Sequence, residues 1–535
     1  MKRVVSAEEM RSFEQELFES GMASSLDWIE RAAEGVDRVL AERYPGLPVL
    51  AVCAGGNNGG DGFALLRLLK ASGVPCKGVL LADPESLKGD AKTNYLRALD
   101  CGIVFEPALT QDALDSCGVI VDAMFGTGLK YPLTGVFRDA AEQIKQSGKP
   151  VVAVDIPSGV FATTGAVSPS GIIHGVAVQA DVTVTFQFYK RGNLLFPGRG
   201  LCGDVIVHPL ETDPQILYSA KKLKIAFHAA RFDDAARELD VFLADPDATF
   251  GVVLFEQSDA AKLLPKRPLD SHKGKNGRAL LCVGSGQYTG AALLSAGAAL
   301  RAGAGLLTAA VPSTVKPAFA QLPEAMAVSV SEGSNWDEAA CERAFELLEG
   351  KNAVGVGCGV GEGNILPLIK HALESGVPLL LDADALNQMA NKREMLSLLH
   401  SNVVLTPHPA EMARLTGEPL GAILSDPIET ARTYAKRWNC VVLLKGATTC
   451  ISNGVQVRLN VSGNPGLAKG GSGDVLSGVI TALLAQGLSA FDAASVGAFL
   501  LGASADTALE LLRERALIAR DVIEVVERTV NATFL

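Results

Sequence analysis

The sequence contains no cysteine pair at the spacing of a metal-binding or redox motif. Its 10 cysteines stand singly along 535 residues, so their spacing predicts neither a zinc ribbon nor a thioredoxin-like site. A disulfide framework is typical of small secreted domains and is not expected in a chain of this size. We therefore expect reduced thiols, most of them buried.

The sequence also lacks an excess of positive charge. The chain has 48 basic and 59 acidic residues, which gives a formal net charge of −11, and its isoelectric point is near 5.3. A general attraction to nucleic acid or to an anionic membrane surface is therefore not expected. Basic groups that contact a phosphorylated ligand must instead be placed locally.

Long uninterrupted apolar segments are missing as well. The first residues, MKRVVSAEEM, contain no apolar segment of the kind found in a signal peptide. Arg301 interrupts the apolar stretch 291–311 and Asp492 interrupts 475–500, so we predict buried helices rather than membrane spans at both places. The sequence predicts a cytoplasmic protein without a membrane partner.

What the sequence does contain is a regular alternation of short apolar strands with helical patterns. In the first half the predicted strands lie at 48–54, 78–82, 118–124, 150–157 and 181–186, and the pattern resumes from 278. Apolar strands that alternate with helices predict a parallel sheet covered on both faces. We predict two α/β domains, residues 1–220 and 221–535.

A glycine-rich loop, CAGGNNGGDGF, follows the first predicted strand. Its backbone N–H groups and the positive end of the next helix would face a ligand. The loop lacks the lysine of a common phosphate-binding loop and offers Asn57, Asn58 and Asp61 instead. A simple tight turn, with Asp61 as a helix cap, is the alternative interpretation.

Two further strand ends of the first half carry polar residues. VDAMFGTG places Asp122 at one strand end, and VDIPSG places Asp155 and Ser158 at another. If Asn58, Asp122 and Ser158 converge, one carboxylate and two neutral oxygens favour a monovalent cation over calcium or magnesium. Asp155 then remains as an acid/base carboxylate, although each aspartate could instead cap its loop.

In the second half, GNPGLAKGGSGDVLSG predicts a ligand loop that leads into a helix. Free N–H groups of Gly471–Gly473 can bind a phosphate, and Asp474 beside them can accept a hydroxyl proton. The alternative for Asp474 is a helix cap.

Three other segments of the second half carry candidate residues. Lys445 follows the strand at 441–444 and suits a nucleotide phosphate, and His408 follows the strand at 402–405. The alternative for His408 is an ordinary surface or core imidazole. Three basic residues before the strand at 278 have the alternative of being solvated: Lys273, Lys275 and Arg278.

In the first half, GGNNGGDG, VDAMFGTG and VDIPSG together resemble the YjeF N-terminal domain family, the NAD(P)H-hydrate epimerases. The resemblance implies a Rossmann-like doubly wound fold, a potassium ion and a hydrated nicotinamide dinucleotide as ligand. It implies potassium ligands at Asn58, Asp122 and Ser158. The implied dinucleotide contacts are Asn57, Asn58, Gly59, Gly60, Asp61, Gly126, Thr127, Gly128, Leu129, Lys130, Tyr131, Pro132 and Asp155.

In the second half, HKGKNG, GSGQYTGAA, LTPHPAE, LLKGATT and the GGSGD loop together resemble the YjeF C-terminal domain family. These are ADP/ATP-dependent NAD(P)H-hydrate dehydratases with a ribokinase-like α/β fold, and magnesium is expected for phosphoryl transfer. The resemblance implies adenine-nucleotide contacts at Lys445, Gly446, Ala447, Thr448, Thr449 and Gly473. It implies hydrate contacts at Ala291, Gly361, His408 and Asp474. Cys358 replaces the family's usual proline, which makes Gly361 the least secure of these assignments.

Together the two resemblances imply a bifunctional repair enzyme for NADH or NADPH that carries water across a ring double bond. The first domain would interconvert the R and S epimers at C6 with Asp155 as acid/base. The second would dehydrate the S form with ADP or ATP, giving AMP and phosphate from ADP, with Asp474 as the base. We expect small-molecule partners (NADHX, NADPHX and adenine nucleotide), no nucleic acid, and a homo-oligomer.

Two alternatives stay open at the level of sequence. A ribokinase-like kinase of a small hydroxylated metabolite would share the anion-binding loop and the aspartate base. In the second alternative the first domain is a binding or regulatory module rather than an enzyme.

Overall fold

A computed structural model describes residues 1–168, 175–210 and 251–534. The chain divides into two compact units, residues 2–250 and residues from 251 onward. The predicted boundary between residues 220 and 221 falls outside the described residues and stays a prediction.

The first unit begins with two helices and continues as an alternation of strands and helices. In chain order its elements are β1 Lys2–Val5, α1 Ala7–Glu19, α2 Ser25–Arg43, β2 Val49–Cys53, α3 Asn57–Ala71, β3 Cys76–Leu80, α4 Gly89–Asp100, β4 Phe105–Glu106, α5 Gln111–Ser116, β5 Val119–Ala123, α6 Gly135–Ser147, β6 Val151–Val154, β7 Val182–Phe186, β8 Tyr189–Lys190, α7 Arg191–Leu194, α8 Gly198–Leu201 and β9 Asp204–His208, with a 3-10 turn at Pro84–Ser86.

The local sequence explains where the first helix starts and which face it buries. Ser6 caps α1 by accepting from the Glu9 backbone N–H, and Glu9 accepts from the Ser6 backbone N–H in return. This reciprocal pair satisfies two backbone donors that the first helical turn would otherwise leave unpaired. The helix then buries Met10, Phe13 and Leu17 at helical spacing.

The main sheet of the first unit is parallel, with the strand order β4-β3-β2-β5-β6-β7-β9. Its central strand β2 reads VLAVC and is buried along its whole length, as expected for a strand covered by helices on both faces. Apolar clusters lie on both faces of the sheet. The predicted doubly wound α/β fold is confirmed.

The second unit has the same kind of alternation. In chain order its elements are β10 Val252–Leu254, α9 Gln257–Leu263, β11 Arg278–Cys282, α10 Thr289–Arg301, β12 Leu306–Pro312, β13 Met326–Ser331, α11 Glu338–Leu348, β14 Ala353–Val356, α12 Leu366–Ser375, β15 Leu379–Leu381, α13 Asp384–Asn391, β16 Val403–Leu405, α14 Pro409–Thr416, α15 Leu420–Ser425, α16 Pro427–Trp438, β17 Val441–Leu444, β18 Thr449–Ser452, β19 Val457–Asn460, α17 Ser472–Ala485, α18 Ala490–Ala508 and α19 Ala519–Phe534, with 3-10 turns at Lys316–Gln321, Arg393–Leu398 and Pro465–Leu467.

The sheet of the second unit has the order β13-β12-β11-β14-β15-β16-β17-β18-β19-β10. The strands from β13 to β17 run parallel, while β18 pairs antiparallel with both β17 and β19. Helices α10, α17 and α18 carry much of the core, and their sequences are rich in alanine and glycine. Small side chains let these helices approach each other and the sheet closely.

The two apolar stretches do not each form one helix. The stretch 291–311 was predicted as a buried helix, but α10 ends at Arg301 and β12 begins at Leu306. Gly303 follows the helix at φ +102°, a conformation that glycine adopts without strain and that ends a helix. The stretch 475–500 is divided between α17 and α18. Across the parts of the chain that the structure describes, every helix is too short or too polar to cross a membrane.

Candidate active sites

In the first unit the strand order reverses between β2 and β5. A doubly wound sheet binds its ligands at such a reversal, beyond the carboxyl ends of the strands. The NNGGD residues, Asn57, Asn58, Gly59, Gly60 and Asp61, open α3 directly after β2. The helix therefore starts at Asn57 rather than near Asp61, and its cap position is Gly56. The alternative interpretation of Asp61 as the helix cap is wrong.

Asp122 and Ser158 form a fully buried hydrogen-bonded pair. The Ser158 hydroxyl donates to Oδ1 of Asp122 at 2.6 Å, and the Ser158 backbone N–H donates to Oδ2 at 2.7 Å. Burial raises the pKa of Asp122 to about 6, although the hydrogen bonds from Ser158 and from the Met124 backbone oppose this rise. The pair ties the end of β5 to the loop after β6, so two of the predicted potassium ligands are in contact.

The third predicted ligand, Asn58, lies beside Gly126, and so does the carboxylate of Asp155. A Cβ atom on Gly126 would lie 2.8 Å from Oδ1 of Asn58 and 3.3 Å from Oδ2 of Asp155. Asn58 is 8% exposed, and its Nδ2 has no hydrogen-bond partner among the described residues. An unpaired buried amide group is costly, and its unused hydrogen-bonding capacity points to a ligand.

The oxygen atoms of Asn58, Asp122 and Ser158 fit a monovalent cation in kind. They comprise an amide, a carboxylate and a hydroxyl, all of which can coordinate a cation. Among the described residues, no three His, Cys, Asp or Glu side chains converge as they would in a site for zinc or another strongly held metal.

Asp155 has an uncommon backbone conformation, and its carboxylate pairs with a buried lysine. Its φ is +68°, a region that non-glycine residues seldom adopt outside functional sites. The Lys190 ammonium lies 2.6 Å from Oδ1 of Asp155, and the Thr185 hydroxyl donates to the same oxygen at 3.1 Å. Oδ2 is the carboxylate oxygen on the side of Gly126.

Lys190 is the site residue that sequence reasoning missed. Its side chain is 1% exposed, and its ammonium also donates to the Thr185 hydroxyl and to the Phe186 carbonyl oxygen. The signal was a lysine in the apolar segment FQFYK, directly after the predicted strand at 181–186. A lysine is almost never fully buried without a charged partner.

Asp61 and Glu14 add two more carboxylates to this site. Burial raises the pKa of Asp61 well above its usual range, and the charges of Asp155 and Glu14 raise it further against the opposing effect of Lys190. Burial also raises the pKa of Glu14 to about 7, opposed by Lys190 and Arg11 and assisted by Asp155. Glu14 lies on α1 and was not a candidate from the sequence.

The predicted loop 126–132 begins in the site and runs out to the surface. Gly126 is buried, whereas Gly128, Lys130 and Tyr131 are exposed. The Leu129 N–H donates to the Gly126 carbonyl oxygen, which turns the loop back over the end of β5. Thr127 and Pro132 are partly exposed. The geometry suits a loop that closes on a ligand, and the contacts of its single residues stay predictions.

In the second unit the strand order reverses between β11 and β14. The loops after these strands carry Ser285 and Gly361, and the Tyr288 ring would lie 3.3 Å from a Cβ atom on Gly361. Ala291 lies in the first turn of α10. A Cβ atom on Gly359 would lie 2.6 Å from the Cβ atom of Ala291, so these two residues are adjacent. The predicted hydrate contacts Ala291 and Gly361 thus lie together around Tyr288.

Asp474 lies in the first turn of α17, behind a glycine turn. The cap residue is Gly471 at φ +98°, and this helix start has no side-chain cap hydrogen bond. Asp474 therefore does not act as the cap, which was its alternative interpretation. Burial raises the pKa of Asp474 to about 6. A hydrogen bond with the Cys358 thiol and the charge of Lys445 oppose this rise, whereas the charge of Asp382 adds to it.

A buried ion pair supports this helix start. The Lys445 ammonium donates to Oδ1 of Asp382 at 2.8 Å, and the Ser477 hydroxyl donates to Oδ2 at 2.6 Å. Burial of Asp382 opposes its ionisation, but Lys445 and the hydrogen bonds to Asp382 lower its pKa below the usual value. A Cβ on Gly473 would lie 3.8 Å from the Lys445 ammonium, so lysine, glycine turn and Asp474 form one site.

The other predicted nucleotide contacts form the turn between β17 and β18. Gly446, Ala447 and Thr448 follow Lys445 in this turn, and Thr449 begins β18. The Thr449 hydroxyl donates to the Gly446 carbonyl oxygen at 3.3 Å. Lys445 forms the ion pair with Asp382. The contacts of residues 446–449 with a nucleotide stay predictions.

The imidazole of His408 has a structural role that accounts for its position. Its Nδ1 accepts hydrogen bonds from the backbone N–H groups of Ala410 and Glu411, which caps α14. The Glu411 carboxylate connects it to the site, because Oε2 lies 3.8 Å from the Lys445 ammonium. His408 therefore borders the site, and its contact with the hydrate stays a prediction.

The basic residues before β11 fit the solvated alternative. Lys273, Lys275 and Arg278 are all exposed or partly exposed at the start of the strand. Lys275 makes a loose pair with Asp270 at 3.7 Å, and both side chains are more than half exposed. An exposed pair of this kind contributes little to stability.

Two protein-family models match the chain. Residues 25–192 match the family described as YjeF-related protein N-terminus, and residues 279–527 match the family described as NAD(P)H-hydrate dehydratase. Each match falls within one of the two compact units.

Curated relatives are similar over nearly the whole chain. The bifunctional NAD(P)H-hydrate repair enzyme Nnr of Thermofilum pendens is 36% identical over 522 residues, covering 95% of this chain and 92% of the relative. The protein of the same name from Escherichia coli is 32% identical and covers 98% of this chain and 93% of the relative. Among solved structures, the ADP/ATP-dependent NAD(P)H-hydrate dehydratase of Bacillus subtilis, co-crystallised with ATP and Mg²⁺, is 30% identical, with a TM-score of 0.47 over 52% of this chain and 98% of that one.

Proposed function

This chain belongs to the family of bifunctional NAD(P)H-hydrate repair enzymes, and on that premise we propose how its residues divide the work. The chain interconverts the R and S epimers of hydrated NAD(P)H and dehydrates the S form to NAD(P)H at the expense of ADP or ATP. We assign the first reaction to the first unit and the second reaction to the second unit.

For epimerisation we assign the proton transfer to Oδ2 of Asp155. Oδ2 takes the C6 hydroxyl proton, the C6–N1 bond breaks with its electron pair on N1, C6 becomes a carbonyl, and Asp155 returns the proton to N1. Closure on the other face of the carbonyl reverses these steps and inverts C6. The observation that carries this assignment is the position of Lys190 and Thr185 on Oδ1, which leaves Oδ2 for the substrate.

The ligand is held by the two loops at the sheet reversal. The backbone N–H groups at the start of α3, residues 57–61, suit the pyrophosphate of the dinucleotide, and the loop 126–132 covers it. Asn58, Asp122 and Ser158 would hold the potassium ion, whose charge would offset that of the pyrophosphate. The unpaired Nδ2 of Asn58 supports a ligand on that side chain.

For dehydration we assign Asp474 as the base. It takes the C6 hydroxyl proton while the hydroxyl oxygen attacks the terminal phosphorus of the nucleotide, and AMP leaves when the nucleotide is ADP. The phosphate then leaves C6 with the C6–O electron pair, and C5 loses a proton as the ring double bond forms. The N–H groups of Gly471–Gly473 and the Lys445 ammonium stabilise the transferring phosphoryl group. Magnesium, bound mainly by the nucleotide, would neutralise its phosphate charge.

The test is to incubate the full chain with purified R or S hydrate and to follow absorbance at 340 nm. We expect recovery from the S form with ADP or ATP, recovery from the R form through epimerisation, and faster R-form recovery with potassium than with sodium. Failure with both nucleotides would contradict dehydration and favour the kinase alternative. Loss of R-form recovery alone would favour a binding role for the first unit. A homo-oligomer, a cytoplasmic location and the absence of nucleic-acid partners stay predictions from the sequence.

A further inference from the structure

Glu14 occupies a position on α1 where an apolar residue is expected. The helix buries Met10, Phe13 and Leu17, and Glu14 completes their spacing of i, i+3, i+4 and i+7. This stripe of an amphipathic helix faces the core. A carboxylate there is uncommon because burial disfavours its charged form.

The same stripe packs against the segment that carries Lys190. The rings of Phe13 and Phe188 lie 5.2 Å apart in an edge-to-face arrangement, and the Glu9 carboxylate lies 3.4 Å from the Arg191 guanidinium. Two contacts, with residues on either side of Lys190, therefore pack α1 against the segment that carries this lysine. Glu14 lies on the same helix stripe as Phe13.

The buried Lys190 ammonium pairs with Asp155, and its charge also lowers the pKa values of Glu14 and Asp61 against the effect of their burial. Lys190 already contacts Asp155, Thr185 and the Phe186 carbonyl oxygen. The charged groups that act on Glu14 are Lys190, Asp155 and Arg11, and Glu14 in turn acts on Asp61. Burial, opposed by Lys190 and Arg11 and assisted by Asp155, raises the pKa of Glu14 to about 7, so its charge changes in the neutral range.

A second observation connects this cluster to the ligand. Asn58 is nine-tenths buried, and its Nδ2 has no partner among the described residues. Its Oδ1 and Oδ2 of Asp155 both lie within about 3.3 Å of the position that a Cβ on Gly126 would take. Asp155 and Asn58 therefore border a place where a bound molecule is expected.

We propose that Glu14 is a positioning residue of the epimerase reaction, and that its uncharged form leaves the Lys190 ammonium to Asp155 and admits the anionic dinucleotide. The proposal rests on the proposed function of the first unit. When Glu14 ionises, a second carboxylate competes for the Lys190 charge, and the site gains a negative charge that repels the pyrophosphate. Epimerisation therefore slows as the pH rises through neutrality.

The test compares Glu14→Gln with the unchanged full chain between pH 6 and pH 8.5. Interconversion of R and S hydrate is followed by chromatography without nucleotide, so that the dehydratase is idle. Gln is uncharged at every pH. We expect rates within about twofold at pH 6 and a variant about five- to tenfold faster at pH 8, because one pH unit above a pKa leaves about a tenth of the group protonated.

Three controls keep the result interpretable. Glu14→Asp keeps a titrating carboxylate and should keep a decline at alkaline pH, while Glu8→Gln on the exposed side of the same helix should change nothing. The dehydration rate from S hydrate with ADP, measured on the same preparations, reports folding of the second unit. An unchanged far-ultraviolet circular dichroism spectrum of the full chain then shows that the first unit is folded as well.

Superimposable pH profiles of the unchanged chain and Glu14→Gln would overturn the proposal, as would loss of interconversion at every pH in a folded Glu14→Gln chain. An unchanged chain that interconverts no hydrate would instead contradict the proposed function, which separates the two failures.

Discussion

The Lys190 ammonium and Oδ1 of Asp155 lie 2.6 Å apart in a part of the first unit where both side chains are buried. In the proposed mechanism the ion pair fixes which carboxylate oxygen faces the substrate, because Lys190 and the Thr185 hydroxyl both contact Oδ1. It also compensates the charge of a carboxylate that has little access to water. Removing either partner leaves the other as a buried, unpaired charge.

Lys190→Met is therefore expected to destabilise the first unit. Breaking a buried ion pair by removing one partner costs about 3–5 kcal/mol in free energy of unfolding. The measurement is denaturant unfolding followed by a probe in the first unit. The double variant Lys190→Met with Asp155→Asn removes both charges and should lose less stability than the single variant. If the two single variants and the double variant show additive losses, the pair is not coupled.

Asp155→Asn separates the two reactions. The variant cannot move the C6 proton, so R hydrate should no longer be consumed, while nucleotide-dependent recovery at 340 nm from S hydrate continues. Loss of an acid/base group lowers a rate by about 10²- to 10⁴-fold. Unchanged consumption of R hydrate, after subtraction of the spontaneous rate, would remove Asp155 from the epimerase mechanism.

The sequence predicted the positions of these groups better than their partners. Strand ends are local, so the loops with Asn58, Asp122, Asp155 and Asp474 were found from apolar runs followed by glycine and carboxylate residues. Lys190 and Glu14 come to the same site from a short edge strand and from α1, and no local pattern marks that meeting. Tertiary packing alone brings a single ammonium to several carboxylates.

His408 shows that a strand-end position does not by itself separate a ligand contact from a structural role. The structure gives its ring a local role as the cap of α14, which any residue with a suitable acceptor can fill. The stretch 291–311 was predicted as a helix from its apolar composition. The glycine that ends this helix was given too little weight. The helix ends two residues before Gly303, at which φ is +102°.

Asp474→Asn should abolish dehydration and leave epimerisation intact. In the unchanged chain the base works as a carboxylate, and its pKa is raised to about 6 by burial. Dehydration should therefore rise as the pH increases through about 6 and level off near pH 7. Cys358→Ala removes a thiol whose hydrogen bond lowers this pKa, so its profile should shift toward higher pH. A profile that is flat between pH 5 and pH 8 would exclude Asp474 as the titrating base.

Lys445→Met tests whether the Lys445–Asp382 pair serves the nucleotide as well as the fold. Asp382 is 1% exposed, and without Lys445 it keeps the Ser477 hydroxyl but loses its counter-charge. We expect a loss of about 3 kcal/mol in free energy of unfolding of the second unit and a KM for ADP raised at least tenfold, because an ammonium near Gly473 is lost.

The matched control is Lys275→Met, which removes an exposed lysine of the same unit. Its pair with Asp270 is loose and solvated. The free energy of unfolding should therefore stay within about 0.5 kcal/mol of the unchanged chain, and the KM for ADP should stay within about twofold of it. The double variant Lys445→Met with Asp382→Asn distinguishes the two roles. It should recover part of the stability because the buried unpaired charge is gone, but the KM for ADP should stay high. Recovery of both quantities together would mean that Lys445 acts on the fold alone and does not contact the nucleotide.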